Sequence, residues 1–528
     1  MQKIFTGKQL PLLYQQALEL DGLTSRDHID RAASAFVQEF VRHYQRGVRM
    51  VYVWAGAGRC GAYALRAARL LFDRGYRVSV YLIYSAGKIS SEVEELLPLM
   101  EAEGLLFTPI YESLLKVNLS SEDVVIDGIF GAELSTPLSG GYQQLIQYLN
   151  ASKARRVSIE IPSGLFAEEN SGNQQREIFR AERTIAFDSP KLAFFFKEHK
   201  PYVGEWRHIP LGISAAAEEG IPVQYHLIED SSVTTELQNR PLEGYGTLLP
   251  RAFVPMLQPG YAGSALLLAR AAQRSGLASL ELSIPKEEAL QLQLMLPELR
   301  ITSGSFESYQ QYLSSYTAIA VTSGFGTSEQ AAGRLQSLLT LAATRPFLLA
   351  EDALQIFTKH RELLPLIPPN SILVADEFSF DQLTTRHSSD AERLREAKEL
   401  AAQLDVCLIL RGESTAICLP SGSVLFDVTG NSALSRPGCQ QVLYGLIIGL
   451  LAQYRSSMTA AMIGVHLHGL AAELYSGKQS QRSLVAGDLL PQISRAYHQL
   501  DRGTCCLRGQ RRPPRSRLPG LARRPAPR

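Results

Sequence analysis

Short apolar runs recur along this chain, each followed by a segment of helical periodicity, and that alternation leaves few folds open. "VRMVYVWAG", "RVSVYLI", "DVVIDGIF" and "RRVSIEIPSG" read as strands, separated by the helical "AYALRAARLLFDRG", "SSEVEELLPLMEAEG" and "GGYQQLIQYLNAS". Strands apolar on both faces and alternating with helices belong to a mostly parallel, doubly wound α/β sheet. Residues 8–46 read as helix before the first strand, and "RTIAFDSPKLAFFF" and "VGEWRHIPLGI" as later strands that close the unit near Ser214. A second series opens near Tyr225. The helix "GSALLLARAAQRSG" precedes the strands "ASLELSI", "YTAIAVTSG", "RPFLLAED", "SILVAD" and "VCLILRG", a hairpin at Ala416–Val428, and two apolar helices. An alanine-rich, acidic connector, Ala215–Glu219, separates the two series, and a chain of 528 residues has room for both. The reading is two α/β domains, 1–214 and 225–500, followed by a 501–528 tail.

The tail is compositionally foreign. Nine of the 53 lysines and arginines lie in it with a single acid, leaving 44 basic against 51 acidic side chains in the rest. That mildly acidic body gives no reason to expect nucleic acid as a partner, and the Arg/Pro-rich tail reads as disordered. No run of about 18 uncharged apolar residues suggests a membrane span, the start lacks an apolar signal core, and six cysteines without CxxC spacing suit a reducing compartment. The expectation is a cytoplasmic protein with no membrane partner.

Three stretches of the first series carry chemistry-bearing residues. In "WAGAGRCGAYALRAARLL", Gly56, Gly58 and Gly61 follow a strand and open a helix. That is the pattern of a dinucleotide phosphate turn, and equally of tight strand–helix packing. "VVIDGIFGAELSTPL" puts Asp127 at a strand's carboxyl end, and "VSIEIPSG" does the same for Glu160 with Ser163 nearby. Ligands of open parallel sheets bind outside the carboxyl ends of the strands, where two acids can hold a cation or move protons. In the second series, "GNSALSRPGCQQVLYGLIIGL" runs a glycine-bearing loop into an apolar helix, as a phosphate-holding helix start would. Its first turn, Cys439-Gln440-Gln441, has neither acid nor base. His466 and His468, two apart on one helix, do not share a face as a metal pair would.

Taken in order, these stretches resemble the bifunctional NAD(P)H-hydrate repair enzymes, an N-terminal Rossmann-like NAD(P)H-hydrate epimerase domain joined to a C-terminal ribokinase-like, ADP-dependent dehydratase. The family's Gly-Pro-Gly-Asn-Asn-Gly-Gly-Asp-Gly turn falls on Gly56–Ala64, where Arg59, Cys60, Gly61, Ala62 and Tyr63 take the substrate-loop places. The resemblance further implies a substrate loop at Gly131, Ala132, Glu133, Leu134, Ser135, Thr136 and Pro137, with Glu160 in the place of the catalytic aspartate. It implies potassium ligands at Cys60, Asp127 and Ser163, though Cys60 offers sulfur where the family has an Asn oxygen, and the Arg59 guanidinium is a candidate to fill the ion's space. In the second domain the glycine loops before helices match at Gly260, Ala262 and Gly263 and at Gly324 and Gly326. Ala350 stands for the first aspartate of Leu-Asp-Ala-Asp-Ala-Leu, Asp352 is kept, and Asp376 replaces a histidine at the substrate site. "LRGEST" supplies a nucleotide segment, Arg411, Gly412, Glu413, Ser414 and Thr415, joined by Gln440. Gln441 takes the place of the dehydratase aspartate and has no proton to exchange near neutral pH.

The implied substrates are the hydrates NADHX and NADPHX, with ADP or ATP as co-substrate, K⁺ at the epimerase site and Mg²⁺ beside the nucleotide, in a homo-oligomer. Gln441 sets two expectations against each other: a nucleotide site that has kept its shape, and dehydratase chemistry that is impaired. A silenced nucleotide-binding homologue and a ribokinase-like small-molecule kinase are the rival readings.

Overall fold

A computed structural model describes all residues but 45–47, 85–87, 103, 112–115, 239–248, 304–305 and 509–528; most of the Arg/Pro-rich tail therefore lies outside the described residues. Two sheets organise the chain. The smaller has seven strands, all paired parallel, in the spatial order Phe107–Ile110, Val78–Ile83, Val51–Ala55, Val124–Gly128, Arg155–Ile159, Arg183–Phe187, Glu205–Ile209. Its chain path leaves Val51–Ala55 in one direction and returns to Val124–Gly128 on the other side, so the order reverses between these two strands. Their side chains alternate between two apolar layers. Val51, Val53 and Ala55 pack under the helices Ser25–His43 and Arg59–Asp73, while Tyr52 and Trp54 face the opposite layer, against Leu145 and Leu149 of Gly141–Ala151. Burial on both faces is why the strands carry no polar period.

The larger sheet has eleven strands. Arg300–Thr302, Ser279–Ser283, Arg251–Pro255, Ala318–Val321, Phe347–Ala350, Ile372–Asp376 and Cys407–Arg411 run parallel in that order, again reversing once, between Arg251–Pro255 and Ala318–Val321. Thr415–Cys418 and Val424–Asp427 follow as the antiparallel hairpin read from sequence. The helices Cys439–Tyr454 and Ser457–Ser476 are apolar nearly all round because they are buried nearly all round. Gly445 and Gly449 let the first of these press against the helix Ala262–Arg274. A Cβ on Gly445 would stand 2.1 Å from the Leu268 carbonyl oxygen, and one on Gly449 2.0 Å from Ser275 Oγ.

Several local readings are corrected. Residues 8–46 form two helices, Leu10–Asp21 and Ser25–His43. Gly22 turns left-handed (φ +64°) to end the first, and a Thr24–Asp27 capping box starts the second. Of "RTIAFDSPKLAFFF" only Arg183–Phe187 is strand, and Leu192–Phe195 is a 3₁₀ turn. The connector Ala215–Glu219 coils into a short helix capped by Ser214. Gln2–Ile4 adds an edge strand to the larger sheet, pairing antiparallel with Tyr225–Leu227, which itself runs parallel to Val424–Asp427. Among the described residues no helix is long and apolar enough to cross a membrane.

Candidate active sites

The reversal in each sheet creates a crevice at the strands' carboxyl ends. In the smaller sheet the glycine turn forms one wall of it, and close packing dictates Gly56 and Gly61. A Cβ on Gly56 would lie 1.8 Å from the Ile129 carbonyl oxygen, and one on Gly61 1.9 Å from that of Gly56. A cavity of about 340 Å³ opens there, lined by Tyr14, Arg59, Cys60, Gly131, Ala132, Glu133, Leu134 and Glu160 among others. Gly61, Ala62 and Tyr63 lie buried behind it, and Ser135, Thr136 and Pro137 are not in its lining.

Glu160 directly follows the strand Arg155–Ile159 with a left-handed backbone, φ +67°, which a non-glycine residue adopts only at a cost. Its buried carboxylate stands 3.6 Å from Lys191 Nζ, a fully buried ammonium that also donates to the Ser189 carbonyl at 3.0 Å. Gly131 closes over the acid, since a Cβ there would sit 2.7 Å from Glu160 Oε2. Sequence reasoning missed Lys191; the available signal was a lone cation inside the apolar "FDSPKLAFFF". It also missed a buried relay at the same end of the sheet. Tyr63 Oη meets His28 Nδ1 at 3.1 Å, and His28 Nε2 meets Asp188 Oδ2 at 3.2 Å. Asp188 has φ +57° and again directly follows a strand. Burial holds the Tyr14 and Tyr63 hydroxyls and the Cys60 thiol protonated, far above their usual ranges.

The implied potassium ligands do not fit a hard cation. Asp127 is saturated by protein donors: the Ser163 amide (2.8 Å) and hydroxyl (2.5 Å), the Ser158 hydroxyl (3.2 Å) and the Ile129 amide (3.3 Å). Burial still lifts its pKa to about 6. Cys60 presents sulfur, aimed at the Ile159 carbonyl at 3.5 Å, where a hard cation takes oxygen. Nor does Arg59 fill an ion's place: it reaches outward to Glu92 at 3.7 Å and lies over the Tyr14 ring.

In the larger sheet, Gly324 (φ +83°) and Gly326 (φ +98°) turn the chain after Ala318–Val321, and the Gly326 amide donates to Asp352 at 2.8 Å. The kept aspartate therefore braces this turn. Asp376 is spent likewise, as the N-cap of Glu377–Leu383, accepting from Ser379. Ala262 is the first residue of its helix. The start of Cys439–Tyr454, after the left-handed Gly438, carries Gln440 and Gln441 to the end of Phe347–Ala350. There the Glu351 carboxylate accepts from Gln440 Nε2 at 2.6 Å, with Gln441 Nε2 and Tyr444 Oη each at 3.4 Å and Ser323 Oγ beside Gln441. Sequence reasoning passed over Glu351.

Arg411, Gly412, Glu413 and Ser414 line a separate cavity of about 1180 Å³ between the two units, with Lys197, Lys200 and Trp206 on its far side; Thr415 begins the next strand. Ion pairs Lys197–Glu377 and Lys200–Glu413 span it, and its lining mixes basic with acidic side chains. His466 and His468 serve different partners. His466 bridges Asp427 (2.8 Å) and Asp230 (3.0 Å), whereas His468 meets the Cys439 carbonyl at 2.9 Å, fastening the start of the Gln440–Gln441 helix.

Comparison with known proteins matches both halves. Residues 26–193 fit the family model of the YjeF-related protein N-terminus, and residues 258–495 that of NAD(P)H-hydrate dehydratase. The bifunctional NAD(P)H-hydrate repair enzyme Nnr of Moorella thermoacetica is 25% identical over 498 residues, covering 89% of this chain and 93% of the relative. Its counterpart in Thermosynechococcus vestitus is 29% identical over 477 residues, covering 84% and 88%. Among solved structures, an ADP/ATP-dependent NAD(P)H-hydrate dehydratase from Bacillus subtilis co-crystallised with ATP/Mg²⁺ is 24% identical, covering 52% of this chain and 98% of that one at a TM-score of 0.44.

Proposed function

The chain belongs to the family of bifunctional NAD(P)H-hydrate repair enzymes, and from that premise we propose how its two crevices divide the repair. The smaller unit interconverts the R and S hydrates of NADH and NADPH. The larger unit dehydrates the S hydrate back to the dinucleotide while consuming ADP.

The observation that carries the first assignment is the buried Glu160, which lines the cavity at the sheet's reversal with the Lys191 ammonium 3.6 Å away from its carboxylate. The two epimers differ at the hydroxylated ring carbon beside the ring nitrogen. Inversion needs the hydroxyl protonated and released as water, the nitrogen lone pair holding the cation meanwhile. Water then adds to the opposite face and gives up a proton. One acid/base pair screened from solvent serves both halves of this cycle. Glu160 and Lys191 hold that proton, the glycine turn shapes the wall against the substrate, and no step is assigned to potassium.

In the larger unit, the nucleotide's terminal phosphate turns the ring hydroxyl into a leaving group. Its departure with a neighbouring ring proton restores the double bond. Mg²⁺ would accompany the nucleotide phosphates and would supply neutralisation of their charge. Arg411 and the Gly412–Ser414 turn offer positive charge and backbone amides to the nucleotide.

Supplying pure R hydrate and ADP to the full chain tests both halves at once. Both are supported if the R epimer is converted and NADH absorbance rises. Epimer mixing with no NADH would remove the dehydratase assignment; no change in either would remove the epimerase assignment, and S hydrate with ADP then tests the dehydratase directly.

A further inference from the structure

The dehydration needs a group that takes the hydroxyl proton as the oxygen attacks phosphorus. Around the start of Cys439–Tyr454 most side chains are unsuited to it. Gln440 and Gln441 have no exchangeable proton near neutral pH. Burial holds the Tyr444 hydroxyl well above its usual range and raises the Cys439 thiol. Asp352 is committed to the Gly326 amide and Asp376 to its own helix cap. The carboxylate that does face this point is Glu351.

Its backbone supports the assignment independently. Glu351 has φ +50° and directly follows the parallel strand Phe347–Ala350, one place from the strand beside the sheet's reversal. Glu160 and Asp188 share that placement in the other sheet: an acid, left-handed, immediately after a parallel strand. Non-glycine residues held in this region concentrate at functional sites, because only a packed surround maintains them. Gln440 Nε2 at 2.6 Å, with Gln441 Nε2 and Tyr444 Oη at 3.4 Å, fixes the direction of the Glu351 carboxylate.

We propose that Glu351 is the catalytic base of the dehydration, its carboxylate aimed by Gln440, Gln441 and Tyr444. The proposal rests on the dehydratase reading above. Glu351 takes the hydroxyl proton while the ring oxygen forms a bond to the terminal phosphorus of ADP. The P–O bond to AMP breaks and its electron pair leaves on AMP. The ring C–O bond then breaks with its pair leaving on phosphate, and the neighbouring C–H bond yields the pair that becomes the C=C bond. Hydrate and ADP thus become dinucleotide, AMP and phosphate, with protons released to solvent and no outside oxidant or reductant.

The test compares the full-length parent with E351Q on S hydrate and ADP, using epimerisation and ADP binding to show that both units are folded. A glutamine keeps size and hydrogen bonding but takes no proton. Loss of a positioned base costs about 10²–10⁴ in rate, so kcat is expected to fall at least 100-fold, with KM for hydrate and ADP within threefold and the acid limb of the kcat–pH profile gone. If E351Q fails to fold, E351D carries the test: the acid limb is kept while kcat falls 10- to 100-fold. A kcat within threefold of the parent in E351Q, or a rise in KM alone, overturns the proposal and leaves the dehydratase reading standing. A parent that binds ADP yet never releases NADH overturns that reading and the proposal together.

Discussion

Separating Lys191 from Glu160 gives the sharpest test of the smaller unit. Lys191 is wholly buried, and the Glu160 side chain is 8% exposed. At 3.6 Å, Coulomb attraction at an effective dielectric of about 20 is about 4.6 kcal/mol. Taking either charge away strands the other in a poorly solvated place, which costs about 3–5 kcal/mol. Lys191→Met and Glu160→Gln should therefore each destabilise strongly, while the double variant destabilises by clearly less than the two together, with a coupling of about 2–4 kcal/mol. The protein supplies its own reporter: its two tryptophans, Trp54 and Trp206, both lie in strands of the smaller sheet. Trp206 also packs against the core of the larger unit, so urea unfolding is followed by the emission of the wholly buried Trp54 in a Trp206→Phe background. Additive effects within about 0.5 kcal/mol would refute the claim that the ammonium and carboxylate act as one buried pair.

The two neighbouring histidines should titrate in opposite directions by NMR. His466, raised to about 9 chiefly by its bonds to Asp230 and Asp427 against the cost of burial, stays charged through neutrality. Its folded value lies above the unfolded one, so its stabilisation is full below about pH 6.5 and is lost as pH rises through 9. His468, lowered to about 4 by burial, stays neutral, and it weakens the fold as pH falls from about 6.5 towards 4. Equal titration near 6.5 for both would contradict the geometry. Epimerisation should proceed equally well when K⁺ is replaced by tetramethylammonium, because Asp127 and Cys60 make no oxygen cage; a fivefold loss would show otherwise. Gly445→Ala should lower the stability of the larger unit by about 1–3 kcal/mol, measured by circular dichroism during denaturation, since the added methyl meets the Leu268 carbonyl rather than a yielding side chain. A neutral result would mean the two helices are not in such close contact.

Sequence carried the strands well where burial on both faces left unbroken apolar runs, as in Val51–Ala55 and Cys407–Arg411. It carried the glycine turns because close backbone approach admits nothing else at Gly56 and Gly61. The break at Gly22 was obscured by apolar spacing that continues across it. The reach from Glu351 to Gln440 and Gln441, separated by 89 and 90 residues, could not be read, because periodicity within a segment says nothing about which strand ends meet which helix. The same applies to Lys191: its charge is visible in the sequence, but its burial opposite Glu160 is a property of the assembled sheet. Substituted motif positions were legible as losses. The carboxylate standing beside one of them was not.

The strand Gln2–Ile4 bears on how this protein can be made. Its partner Tyr225–Leu227 is synthesised more than 200 residues after it, and the next strand in, Val424–Asp427, later still. At about 5–20 residues per second, the smaller unit can complete its own seven strands while this segment waits for a sheet that does not yet exist. Closure of that edge is therefore a late event of biosynthesis, one that joins segments made far apart in time only after all of them have emerged.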